Sequence, residues 1–173
     1  IPLLALTIEV FHGNAPNSLY SWGLATAGGV YIGYCLSFFI RLRGVNTGLY
    51  WLTLALVGTW IADTGAYAVG RRIGKHPFFP KISPQKTREG AVGGIVSGVL
   101  AVTIMGYFLL NLPIGWGIVV GILLTLGAIF GDLAESVIKR QVGVKDTGKL
   151  IPGQGGVLDR IDRLLFVVPI VYY

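Results

Sequence analysis

Three stretches of the chain bring acids, bases and glycines together at spacings that could do chemistry. In GDLAESVIKR, Asp132, Ser136, Lys139 and Arg140 stand at helical offsets of four, seven and eight, so one helix face carries a carboxylate and two cations. A chain of i to i+4 pairs at a helix exit is the plain alternative for that face. The next string, QVGVKDTGKLIPGQGGVLDRID, sets three glycines around Gln154 and then Asp159 and Asp162 one helical turn apart, with Arg160 between them. Glycines let backbone N–H groups approach phosphate closely. Two carboxylates on one turn repel each other unless a cation sits between them, and Mg²⁺, a hard ion that takes carboxylate oxygens and substrate phosphates, suits the pair. Asp132 could add a third carboxylate, whereas helix N-capping accounts for one aspartate but not for two. In KISPQKTREG, Ser83, Lys86, Arg88 and Glu89 precede an apolar stretch; Lys86 and Arg88 could bind phosphate, or serve only as an orientation signal. The shared theme is phosphate chemistry assisted by a metal.

The elements that must position these residues are membrane spans. Of 173 residues, 53% are hydrophobic and 13% charged, and the mean hydropathy is +0.70; a soluble core of this size could not hide that much apolar surface. Four stretches of about 20 apolar residues are long enough to cross a bilayer: 19–40, 48–70, 91–112 and 114–130, the last continuing as helix. The expectation is an all-α polytopic helix bundle in one transmembrane catalytic domain over 1–173, cut at both ends, with active-site segments at 71–90 and 131–163. The glycines in these spans predict close helix contact, and a homodimer through glycine-rich helix faces.

All Lys and Arg except Arg41 and Arg43 fall in those two segments, which places them in the cytosol by the positive-inside tendency and makes the +6 charge a property of loops against anionic lipid rather than of nucleic-acid binding. Six of the eight acids follow them. Asp63 instead lies within the second span, where a carboxylate is costly enough to imply function. Cys35, alone, can form no internal disulfide, and His12 and His76 have no partner at metal-binding spacing. No GxxxxGK[ST] or GxSxG string is present.

The string from Ser136 to Asp162, SVIKRQVGVKDTGKLIPGQGGVLDRID, resembles the signature of the phosphatidate cytidylyltransferases, or CDP-diacylglycerol synthases, in its KR pair, KD pair, PG-x-GG turn and final DR-x-D. ADTGAYAVGRRIGKH around Asp63 and SPQKTREG are similar to two further strings of that family. Gln154 stands where the family usually has histidine, and Gln85 and Arg88 where it has lysine and tryptophan.

The resemblance implies an enzyme of phospholipid biosynthesis in the inner or an equivalent membrane, in which phosphatidate attacks the α-phosphate of CTP with Mg²⁺ assistance, a second cation being compatible. It assigns Asp132, Asp159 and Asp162 to the metal, with Asp63 and Glu89 as further ligands or groups that hold them. It assigns Lys86, Lys139, Arg140, Lys145 and Arg160 to triphosphate or lipid phosphate, with Asp146 and Gln154 in the catalytic segment. Ser83, Arg88, Ser136 and the backbone at Gly153, Gly155 and Gly156 line the substrate. A CTP-dependent polyprenol or phytol kinase would differ in transferring the γ-phosphate to an alcohol, which needs a base. An ion-coupled transporter would instead place carboxylates near the midplane of several spans.

Overall fold

In a computed structural model, residues 2–11, 17–80, 82–144, 147–148 and 156–173 are described, Glu9 and Val10 by backbone alone. A short helix α1 (Pro2–Phe11) leads into α2 (Ser18–Arg43) and α3 (Gly48–Ile73). A two-stranded antiparallel hairpin, β1 (Pro77–Phe79) and β2 (Ser83–Thr87), then delivers the chain to α4 (Arg88–Leu110) and α5 (Ile114–Val142). A one-turn helix α6 (Leu158–Ile161) and α7 (Leu164–Tyr172) complete the chain.

Among the described residues, four helices, α2 to α5, are long and apolar enough to cross a membrane, so the chain is an integral membrane protein. Many of their large apolar side chains point outward, Leu19, Ile40 and Phe108 at 75% exposure or more, which only lipid makes favourable. Each expected span sits inside its helix, but the helices run on at the polar ends: α4 already begins at Arg88 and α5 carries Asp132 to Arg140 without a break. The hairpin at 77–87 departs from an all-helical reading; its strands are three and five residues long and begin with or contain proline, too short for any alternation to show.

Local chemistry fixes the ends. Thr87 is extended and its Oγ1 accepts the Gly90 N–H at 3.1 Å, capping α4. Asn111 takes the left-handed conformation (φ 53°) between α4 and α5, and Gly143 (φ 73°) terminates α5.

Packing between α3, α4 and α5 relies on backbone contact. A Cβ on Gly94 of α4 would come within 3.0 Å of Ala66 on α3, and one on Gly121 of α5 within 2.9 Å of the Val99 backbone on α4. Interhelix packing in lipid is driven by such close approach rather than by apolar transfer. The core gathers Phe38, Leu54, Val102, Leu124, Val167 and Val168 where α7 lies against α5, α2 and α3. A Cβ at Gly23, Gly28 or Gly33 of α2 would meet no neighbour within 4 Å, so the expectation of tight packing holds for α4 and not for these positions of α2.

Candidate active site

At the end of the bundle where α3 finishes and α4 begins, a cavity of about 480 Å³ opens between α3, α4, α5 and the hairpin. Its apolar part carries the small residues Ala62, Ala66, Gly94 and Ala128 where the helices pack closely, with Tyr67, Phe78 and Ile129 around them. Its polar part is formed by Asp63, Lys86, Asp132 and Arg163. These four come from four elements: α3, β2, α5 and the α6–α7 junction.

Arg163 ties the group together. Its Nη2 donates to Asp132 Oδ1 at 3.1 Å and its Nη1 to Asp63 Oδ2, while Lys86 Nζ forms an ion pair with Asp132 Oδ2. The planar guanidinium suits this bridging role, since its donors diverge toward two acceptors at once. Gly131 makes the approach feasible: a Cβ there would meet the Arg163 Cα at 2.9 Å. Burial lowers the Lys86 pKa to about 8, helped by Arg163 and opposed by Asp162 and Asp63. Lys86 therefore keeps its charge near neutral pH but with little margin.

One turn further along α5 a second cluster forms outside the cavity. Lys139 Nζ donates to Glu135 Oε2 at 3.0 Å and to Asp159 Oδ1 at 2.9 Å. Asp159 Oδ2 also accepts the Thr147 N–H at 3.0 Å, the Thr147 hydroxyl at 2.8 Å and the Gly156 N–H at 2.6 Å. Burial pushes the Asp159 carboxyl up, but Lys139 and these donors outweigh it and hold the group well below the usual carboxylate range. Asp159 thus fastens residues 147 and 156, the two described edges of the glycine-rich segment.

The repelling carboxylate pair drawn from spacing is therefore relieved within the protein. Asp159 has Lys139 as its cation, and Asp162, buried, lies beside Tyr31 and Glu135 around a narrow crevice.

Other expected site residues are distributed unevenly. Ser83 lines the cavity beside Lys86. Glu89 faces away from it, accepting the Lys75 and His76 N–H groups at 3.2 and 3.3 Å and meeting His76 Nδ1 at 2.5 Å, so it pins the turn between α3 and β1. His76, without a partner by spacing, has one in space. Arg88 is exposed, and its backbone N–H donates to the His76 carbonyl. Arg140 Nε donates to the Ile82 carbonyl at 3.3 Å, tying α5 to the hairpin. Ser136 is half-buried outside the cavity lining, Arg160 is exposed, and Gly156 is buried at the Asp159 fastening. Lys145, Asp146, Gly153, Gln154 and Gly155 lie outside the described residues.

Sequence spacing missed Arg163, Glu135 and Thr147. Glu135 carried a usable signal, four residues before Lys139. Arg163 carried none, being 100 residues from Asp63. Among the described residues no three His, Cys, Asp or Glu side chains form a metal-holding group by themselves; the cavity offers the carboxylate pair Asp63 and Asp132.

Comparison with known proteins gives the family of the chain. The family model described as "Cytidylyltransferase family" matches residues 1–173. The phosphatidate cytidylyltransferase of Bacillus subtilis (strain 168) is 41% identical over 153 residues, covering 87% of this chain and 57% of that protein. Those of Staphylococcus haemolyticus (strain JCSC1435) and Staphylococcus aureus (strain COL) are 42% and 41% identical over 142 residues, each covering 82% of this chain and 54% of the relative. The chain therefore spans a little over half the length of the curated relatives it matches. A family match over every residue, with identities above 40% across most of the chain and a charged cavity at the end of four spans, means that this chain belongs to the cytidylyltransferase family.

Proposed function

We propose that the protein transfers the cytidylyl group of CTP to phosphatidate, giving CDP-diacylglycerol and pyrophosphate, at the cytosolic face of the membrane. The observation that carries this is the cavity that joins an apolar, helix-lined part to the Lys86, Arg163, Asp63 and Asp132 cluster. A 26-residue helix such as α3 is about 39 Å long, more than the ~30 Å hydrocarbon core, so its last turns reach headgroup depth. A lipid phosphate and a water-borne nucleotide can meet there.

In the reaction a phosphatidate oxygen forms a bond to the α-phosphorus of CTP as the bond to the bridging oxygen of the β-phosphate breaks, and pyrophosphate leaves. A phosphate monoester, with a second pKa of about 6, arrives largely ionised and needs no general base. The difficulty is bringing two anions together. Lys86 and Arg163 supply positive charge at the cavity, held in place by Asp63 and Asp132, so little reorganisation is needed as charge shifts to the leaving group.

Mg²⁺ fits the donor set, because it takes one or two carboxylates and completes its shell with phosphate oxygens and water. Asp63 and Asp132 would hold it, and when bound it would neutralise charge on the reacting phosphates. Asp159 would have to release Lys139 to take a cation. The basic segments support the cytosolic orientation. A Cβ at Gly23, Gly28 or Gly33 of α2 would meet no neighbour within 4 Å, which leaves room for a second copy against that helix and supports a homodimer.

The test is label transfer by the purified full-length protein with Mg²⁺ and phosphatidate. CTP labelled at its α-phosphate should yield labelled lipid, and CTP labelled at its γ-phosphate only labelled pyrophosphate. Label from the γ-position in lipid would make the protein a kinase instead.

A further inference from the structure

We infer that Arg71, with Tyr67 one turn before it on α3, is the docking group for the phosphate of the lipid substrate. Both residues line the cavity. The two cations already placed at its polar part are engaged: Arg163 holds Asp63 and Asp132, and Lys86 holds Asp132. Arg71 differs from them. Among the described residues it forms no ion pair with a carboxylate; its Nη1 donates to the Tyr67 hydroxyl at 3.1 Å, and its guanidinium carbon stands 6.0 Å from the centre of the Tyr67 ring. That leaves most of its five N–H donors and its full charge available to a new anion.

Position selects the lipid over the nucleotide. Arg71 lies in the last turn of a helix too long for the hydrocarbon core, which sets it at headgroup depth. The Tyr67 ring is 66% exposed on the same helix face, one turn toward the apolar interior, where interfacial tyrosines present an apolar body to lipid and a hydroxyl to the polar layer. A lipid whose glycerol backbone slides along Tyr67 brings its phosphate to Arg71 without leaving the membrane. The guanidinium fork matches two of the three non-ester oxygens of a phosphate monoester, and the Tyr67 hydroxyl keeps the fork aimed. The two sets of cations would thus divide the labour: Arg71 takes the lipid phosphate, and Lys86 and Arg163 serve the charge that develops on the nucleotide side. This assignment rests on the proposed reaction for its lipid but concerns binding alone.

The experiment is therefore a binding measurement, without turnover, on the full-length protein in detergent. Dioctanoyl phosphatidate, dioctanoylglycerol and CTP are titrated separately by calorimetry into the wild type, Arg71→Ala and Arg71→Lys. The expected result is that the wild type prefers dioctanoyl phosphatidate to dioctanoylglycerol, that Arg71→Ala weakens the phosphatidate affinity by about tenfold or more, and that Arg71→Lys, a charge without the fork, recovers part of it. CTP affinity should stay within about twofold throughout, since the inference places no nucleotide on Arg71. Arg71→Gln repeats the test with a side chain of similar reach, so that a packing defect in the alanine variant does not decide it. Phosphatidate affinity unchanged in both uncharged variants, or CTP affinity falling in step with it in both, would overturn the inference. A protein that binds phosphatidate through Arg71 but forms no CDP-lipid would uphold it and overturn the reaction.

Discussion

Asp132 and Glu135 stand less than one turn apart on α5, yet they belong to clusters with opposite characters. Asp132 faces the cavity and is met by Arg163 and Lys86, whose charged ends border open space that a phosphate or a metal can enter. Glu135 is 6% exposed and joins Lys139 and Asp159, a group closed on backbone N–H donors of Thr147 and Gly156. The residue types are the same. What separates the two is whether the charged groups border open space or close on main-chain donors, here the N–H groups of Thr147 and Gly156.

The sharpest way to break this contrast is Arg163→Lys. Lysine keeps the charge but cannot bridge Asp63 and Asp132 together, so CDP-lipid formation should fall by about 10²-fold or more, the scale of removing a preorganised charge donor, with the melting temperature little changed. Equal activity in the two proteins would show that the bridge is unimportant.

Asp159→Asn should act differently. Lys139 loses one of its two carboxylate partners, keeping only Glu135, and the donors at residues 147 and 156 lose a strong acceptor, so stability should drop together with activity. A melting temperature lower by about 5 °C, and faster proteolysis between residues 147 and 156, are the expected signs. A repelling pair, as spacing alone suggests, would instead lose little stability on removal of one carboxylate, because the repulsion goes with it. An unaltered melting curve would restore that view.

The smallest effect concerns Lys86. With a pKa near 8, it loses its charge as pH rises, so phosphate binding is intact below pH 8 and weakens above it. Turnover should decline by a few fold between about pH 7.5 and 9, and Lys86→Arg, whose guanidinium stays charged, should flatten that limb. An identical alkaline decline in Lys86→Arg would assign it to another group.

Much of this architecture is legible in the sequence. Runs of about 20 apolar residues announce the spans because bilayer thickness imposes the length, and the intramembrane cost of a carboxylate singles out Asp63. Lys86 and Asp132 were legible as candidates, but not as partners of each other. Arg163 was not legible at all, since its role depends on α7 folding back between helices whose acids lie 31 and 100 residues away. Conversely, Glu89 resembled a site residue by its neighbours in sequence, and only the path of the hairpin turns it toward His76 and away from the cavity. Local periodicity reports faces of single helices; it does not report which faces meet.

The central claim, that the open cluster is where the phosphates react, is tested most directly at Asp132. The decisive measurement is CDP-lipid formation against Mg²⁺ concentration for the full-length wild type and Asp132→Asn, with melting temperatures recorded alongside. The account predicts a loss of about 100-fold or more that saturating Mg²⁺ does not restore, in a protein that melts like the wild type. Retention of more than about a tenth of the wild-type rate, a cost of no more than about 1.4 kcal/mol in the barrier, would contradict it.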